Sequence, residues 1–166
     1  MTHVSWTAEA DWLDPLPVAQ RDGILVGAVR TLSDARLAEL RALYRLLDPA
    51  LPELRRESAE AMLGAAAVTL VAAVDAASAR LAGVATLVAA PTLARVRAWA
   101  EDLVVHGDFR GRGVGAALMD ACAAAAAAAG AEEMNGTVHP RREAAVALYR
   151  RTGWEFSESL PVRRRL

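Results

Sequence analysis

Between Arg97 and Gly130 the chain passes through an apolar strand-forming segment, a turn of alternating glycine and arginine, and a long alanine-rich segment. The turn reads Arg110-Gly111-Arg112-Gly113-Val114-Gly115. Strand, glycine turn and helix in that order present a nest of backbone N–H groups at a helix N-terminus, where an anion such as a pyrophosphate is stabilised. The alanine run is helix rather than low-complexity disorder, because alanine is the best helix former and a smooth alanine face lies close on a sheet. The rest of the chain reads as support for this unit.

Taken in order, Ile24–Arg30 is short, apolar and β-branched and is the first predicted strand. Ser33 caps an amphipathic helix over Asp34–Leu47, which Asp48-Pro49 stops. Pro52 suits the first turn of a second helix, in which Leu54, Met62 and Leu63 pack and Gly64 is the C′ residue. Val68–Val74, Leu81–Ala89 and Arg97–Val105 are strands joined by short connections, hence antiparallel neighbours. A helix from about Gly113 to Ala129 crosses over to a strand at Glu133–Val138, which therefore runs parallel to Arg97–Val105. A helix over Arg141–Arg151 ends at Gly153, and Trp154–Ser157 with Pro161–Arg165 forms a final hairpin. Residues 1–23 lack periodicity; they read as an arm with a helical turn between Thr7 and Leu13, anchored by Trp6 and Trp12. The remaining residues, 24–166, form one α/β domain with a mixed, mainly antiparallel central sheet flanked by helices.

Composition narrows the function. All basic residues are arginine, and a net charge of −1 argues against a general nucleic-acid or membrane-surface binder. No apolar stretch approaches the roughly 20 residues needed to span a bilayer, and the N-terminus lacks the pattern of a signal peptide. With one cysteine, Cys122, set among helix alanines, a soluble cytoplasmic protein with an inert buried thiol is expected. The scattered histidines and single cysteine give no metal-ligand spacing.

Which anion does the turn hold? A P-loop requires a lysine, and the chain has none. A dinucleotide fingerprint is met by Gly111, Gly113 and Ala116, with Glu132 and Glu133 about 20 residues on. Those acids, however, begin the following strand rather than end it, and too little chain remains for a full dinucleotide domain. The third reading is a coenzyme A site, and it rests on a resemblance.

Here the residues resemble a known family. The run from Glu101 to Met119 is similar to the acetyl-CoA motif of the GNAT N-acetyltransferase superfamily, [QR]-x-x-G-x-[GA], with Arg110, Gly113 and Gly115 in its fixed places. Arg141–Trp154 resembles the family's A-x-x-L-Y-x-x-x-G-F element through Ala145, Leu148, Tyr149 and Gly153, with Trp154 in place of phenylalanine. The resemblance covers all but the arm. The Arg142-Glu143-Ala144-Ala145 version resembles a subgroup with poorly defined substrates; relatives often have asparagine at the place of Arg142.

The resemblance implies a GNAT fold whose splayed parallel strand pair holds the pantetheine arm, with acetyl-CoA as co-substrate, no metal, and a primary amine of a small molecule or protein as acceptor. Leu103, Val104 and Val105 would pair with pantetheine. Gly111, Arg112, Gly113, Val114, Gly115 and Ala116 would offer backbone N–H groups to the pyrophosphate, with Arg110 and Arg112 adding charge. Tyr149 stands at the general-acid position. Many relatives place a glutamate where Thr137 stands, so that role does not carry over. Glu101 is the better base candidate, though an ion pair with Arg97 would equally explain an acid there; His139 is a second candidate. Asp102 is expected on the opposite face of the strand. Dimerisation through the C-terminal strands is common in the family. Two rivals remain: a CoA-binding sensor domain without catalysis, and a dinucleotide binder.

Overall fold

The structure, a computed structural model, describes residues 11–16, 23–158, 162 and 164. Six strands form one sheet in the order β1-β2-β3-β4-β5-β6, which is also their order in the chain. They are β1 (Leu13–Pro15), β2 (Ile24–Val29), β3 (Val68–Asp75), β4 (Leu81–Pro91), β5 (Val96–Val105) and β6 (Ala131–Gly136). The helices are α1 (Asp34–Leu47), α2 (Arg56–Leu63), α3 (Val114–Ala128) and α4 (Glu143–Arg151). Neighbours from β1 to β5 pair antiparallel, and β5 pairs parallel with β6. The mixed, mainly antiparallel character of the sheet and its parallel β5–β6 pair are as the sequence pattern predicts.

Alternation along β3 sends Val71 and Ala73 to one face and Leu70, Ala72 and Val74 to the other, and both faces are buried. The first face packs on α3. There Ala117, Ala121 and Ala126 meet Ala73, Ala82, Ala85 and Ala98, so small side chains on both surfaces bring helix and sheet close together. Cys122 lies in this layer, fully buried. The second face takes Leu40 and Leu43 of α1, with Met62 and Leu63 of α2 at its margin.

The structure corrects three local expectations. Part of the expected arm belongs to the sheet: Leu13–Pro15 is an edge strand on β2, where Pro15 is tolerated. Trp12 anchors this segment as predicted, buried with the Arg36 guanidinium 4.8 Å from its ring centroid; Trp6 and most of the predicted helical turn lie outside the described residues. The second helix begins only at Arg56, because residues 51–55 stay irregular or extended while Arg41 Nε donates to the Leu54 carbonyl at 2.8 Å. Its Gly64 has φ −78°, a right-handed conformation and not the left-handed one of a C′ glycine. Finally, Trp154–Ser157 is not a strand. Trp154 instead packs edge-on against Tyr149, with ring centroids 4.9 Å apart. Its intended partner, around Pro161–Arg165, lies mostly outside the described residues. Among the described residues no helix is long and apolar enough to cross a membrane.

Candidate active site

The site begins where two parallel strands part. β5 and β6 pair from Val96↔Ala131 to Ala100↔Gly136, with a register shift between Val96 and Ala98, and among the described residues no pairing of the two follows. Among the described residues Glu101–Val105 continue beside β4 alone, and their outer backbone edge faces a cleft. Gly136 marks the parting point. A Cβ there would lie 3.3 Å from the Ala100 carbonyl oxygen and 3.8 Å from the Tyr149 hydroxyl. The phenol of Tyr149 thus stands at the fork, projected from α4.

β5 also carries a bulge. Thr86 faces Glu101 and Val84 faces Val104, so Ala85 alone opposes both Asp102 and Leu103. Asp102 absorbs the extra residue with φ 53°, a left-handed conformation that aspartate and asparagine tolerate better than most residues. The bulge resets the alternation. Asp102 does not turn to the opposite face, as simple period-two reasoning expects; it lines the same cleft as Glu101.

Beyond β5 the chain makes a 3-10 turn at Gly107–Phe109, where His106 Nδ1 accepts from the Asp108 N–H at 3.2 Å. The glycine turn follows. Gly111 (φ 76°) and Gly113 (φ 78°) both take the left-handed conformation. Gly113 is the N-cap of α3, no side chain caps that helix, and its first turn holds no acid. The N–H groups of the first turn therefore have no intrahelical acceptor, and the positive end of the helix dipole is not offset by a capping side chain or first-turn acid.

Two arginines brace this turn. The Arg112 guanidinium pairs with Asp75 Oδ1 at 2.7 Å, and that of Arg80 pairs with Asp108 at 2.9 Å. Both lie over the ring of the buried Phe109, at 5.3 and 5.2 Å from its centroid. Asp75 is only 6% exposed and also accepts from the Ser78 hydroxyl at 2.7 Å and the Ser78 N–H at 3.0 Å. The Ser78 hydroxyl foremost, then Arg112, holds its carboxyl below the usual carboxylate range against the opposing effect of burial. Arg110 stays exposed, with Nε donating to the Val105 carbonyl at 3.3 Å.

The cleft between the strands has a volume of about 370 Å³. Glu101, Asp102 and Leu103 line it from β5; Thr137, Val138 and His139 follow β6; Arg142, Ala145 and Tyr149 belong to the α4 side. Leu47, Asp48 and Leu51 close it from the end of α1. Arg142 crosses the gap and donates to the Leu47 carbonyl at 3.2 Å. His139 Nδ1 accepts from the Arg141 N–H at 3.1 Å. Loss of water in the cleft raises the Glu101 carboxyl, and the Asp102 charge raises it further. Loss of water alone raises Asp102. Burial raises the Tyr149 phenol, with Glu101 and then Cys122 adding to the effect. Glu101 forms no ion pair with Arg97; among the described residues neither Glu101 nor Asp102 has a hydrogen-bonding or salt-bridging partner.

The structure thus brings Glu101, Leu103 and Tyr149 to one cleft and places Gly111–Ala116 at the mouth of α3. It turns the Arg112 side chain toward Asp75. Sequence reasoning missed Asp48, which read only as a helix stop, and the Arg142 tether, whose partners stand 95 residues apart. Among the described residues no group of three or more His, Cys, Asp or Glu side chains is placed to hold a metal ion.

Residues 35–154 match the model of the acetyltransferase (GNAT) family. No curated protein sequence matches. Among solved structures, a protein of Agrobacterium tumefaciens str. C58 described as an acetyltransferase is 26% identical with a TM-score of 0.72, covering 84% of this chain and 99% of that one. The aminoglycoside acetyltransferase meta-AAC0020, from an uncultured soil metagenomic sample and solved with sisomicin, shares the fold with a TM-score of 0.73 at 16% identity, covering 87% of this chain and 97% of that one. The aminoglycoside N-acetyltransferase AAC(6')-Iy, solved with CoA, does so with a TM-score of 0.70 at 19% identity, covering 90% and 98%.

Proposed function

The chain belongs to the acetyltransferase (GNAT) family, and from that membership we propose that it transfers acetyl from acetyl-CoA directly to a primary amine. One observation carries the reading: among the described residues β5 keeps an unpaired edge after Ala100, with Tyr149 at the fork and a helix N-terminus without a side-chain cap beyond it. The fold shared with an aminoglycoside acetyltransferase that binds CoA supports it.

In this reading the backbone of Leu103–Val105 pairs with the pantetheine amides. The Val105 carbonyl has a second lone pair for this purpose beside its bond to Arg110. The N–H groups of Gly111–Ala116 hold the pyrophosphate, aided by the helix dipole. Arg110 adds charge, while Arg112 contributes its N–H and, through Asp75, fixes the shape of the turn.

The chemistry divides between two groups. Glu101, directly or through a water, takes a proton from the substrate ammonium; its raised carboxyl is a stronger base than a free one. The neutral amine attacks the thioester carbonyl, the C–N bond forms, and a second proton leaves the nitrogen for solvent as the tetrahedral intermediate collapses. The C–S bond breaks, and Tyr149, kept protonated by its raised pKa, gives its proton to the thiolate. Cys122 is not a nucleophile on this route: it is fully buried and its thiol is pushed up to about 12.

The test is a thermal-shift comparison of acetyl-CoA with NAD, followed by a CoA-release assay over a panel of amines. Stabilisation by NAD alone refutes the cofactor. Tight acetyl-CoA binding with no CoA release from any amine would instead favour the non-catalytic sensor. Tyr149→Phe should lower kcat about 10²-fold and leave the KM for acetyl-CoA unchanged; an unaltered kcat removes the general-acid role.

A further inference from the structure

A buried hydroxyl lies beside the base. Thr86 is the only residue of β4 with a polar side chain. It is 8% exposed, and among the described residues its hydroxyl has no hydrogen-bonding partner. Leu70, Thr86 and Glu101 lie abreast on β3, β4 and β5, so their side chains share one face of the sheet, the face that takes Leu40 and Leu43 of α1. Directly opposed strand residues have Cβ atoms about 4.5–5.5 Å apart. Thr86 and Glu101 nevertheless make no hydrogen bond to each other. Packing does not call for the hydroxyl, because valine has the same branched shape and carries no group that needs a partner. Nor is the hydroxyl sealed. Among the described residues every side-chain nitrogen or oxygen closed off from water has a hydrogen-bonding partner. Thr86 lacks one, so its oxygen is open to water. An ordered water needs about two to four polar partners. The Thr86 hydroxyl and the Glu101 carboxylate supply two, and an amine in the cleft supplies a third.

We propose that Thr86 is a positioning residue for Glu101: its hydroxyl and the Glu101 carboxylate hold one water between them, and that water carries the proton from the substrate ammonium to Glu101. The ammonium gives a proton to the water oxygen as the water gives one of its own to the carboxylate. The amine becomes neutral, the water is regenerated and Glu101 ends protonated. Thr86 exchanges no proton; it fixes where the water sits. The relay rests on the acetyl-transfer reading, whereas the water site can be observed without turnover.

In a crystal structure of the wild-type protein with CoA, a water should lie within hydrogen-bonding distance of both Thr86 Oγ1 and a Glu101 carboxylate oxygen. Its absence overturns the proposal, even where a variant fails to fold. Thr86→Val keeps the branched shape and removes the hydroxyl. It should lower kcat about tenfold, the order of one hydrogen bond to a charged group, and leave the KM for acetyl-CoA unchanged. It should also move the acid limb of kcat/KM to higher pH, because the carboxylate loses a hydrogen bond to its charged form. Asp102, Asp48, His139, Arg142 and Tyr149 line the same cleft and are unaltered by the substitution, so the shift reports the hydroxyl. Thr86→Ser should restore most of the rate and the profile. A wild-type rate and profile in Thr86→Val, or a Thr86→Ser no better than Thr86→Val, overturns the relay. CoA release by the wild type without the water refutes the role of Thr86 and leaves acetyl transfer standing. The water in place with no CoA release from any amine refutes acetyl transfer and the relay with it.

Discussion

Gly83 links the packed sheet to the open edge of β5, and Gly83→Ala tests that link. Gly83 faces Val105 across the β4–β5 ladder. A Cβ there would come within 2.7 Å of the Val104 carbonyl oxygen, 3.2 Å of Leu118 Cδ1 and 3.3 Å of Val105 Cα. Two effects oppose each other. The backbone of Gly83 is not left-handed, so alanine suits it, and reduced freedom of the unfolded chain alone would stabilise by about 0.4–1 kcal/mol. Against this, the closest atom is backbone within a paired strand and cannot swing aside; overpacking of this kind costs about 1–3 kcal/mol. The clash wins by about 1–2 kcal/mol. At 2–4 °C per kcal/mol for a domain of this size, the melting temperature should fall by about 2–8 °C. Relief of the clash displaces Val104 and Val105, so the KM for acetyl-CoA should rise as well. Gly107→Ala is the control, because its Cβ meets nothing within 4 Å and its φ is not left-handed. Thermal melts and acetyl-CoA titrations of both variants decide the matter. A Gly83→Ala melting temperature at or above wild type, or an equal loss in the control, refutes the steric account.

Asp75 should make stability depend on acid. Its folded pKa is depressed, so its contribution is present above the unfolded value near pH 4 and is lost as pH falls through the folded value. Asp75→Asn should cost about 1–2 kcal/mol at neutral pH and progressively less below about pH 4 in denaturant titrations; a constant deficit across that range contradicts the linkage. Glu101 titrates in the opposite sense: its raised carboxyl must be ionised to act as base, so kcat/KM should climb as pH rises through that raised value. Burial and then the Asp102 charge raise that value, and Asp48, Arg142, His139 and Tyr149 line the same cleft. Glu101→Gln should remove the acid limb and lower the rate about 10²-fold; an acid limb that survives assigns the base to another group, His139 first.

The features legible in the sequence were those written in local pattern. The 3.6-residue spacing of α1, the apolar runs of β3 to β5 and the helical crossover to β6 all appear where periodicity places them. The glycine turn was legible because Gly111 and Gly113 adopt a conformation that other residues resist. Features that depend on distant partners were not. β1 has three residues, too few for a period to show, and exists because β2 offers it an edge. The bulge at Asp102 follows from the register between β4 and β5, and strict alternation misplaces it. Arg112 looked like a phosphate ligand because it stands between two glycines; Asp75, 37 residues away, claims its guanidinium.

Because strand order follows chain order, the molecule also has a schedule of assembly. β3, β4 and β5 form a meander closed by short turns, and contacts so near in sequence cost little loop entropy and form early. β6 reaches β5 only through the α3 crossover, so its contacts are distant in sequence, and among the described residues its ladder stops at Gly136. The cleft therefore lies between a meander of local contacts and a strand that joins it through a long crossover. A molecule seated there joins the two, and its binding energy stabilises the one seam that local sequence specifies least.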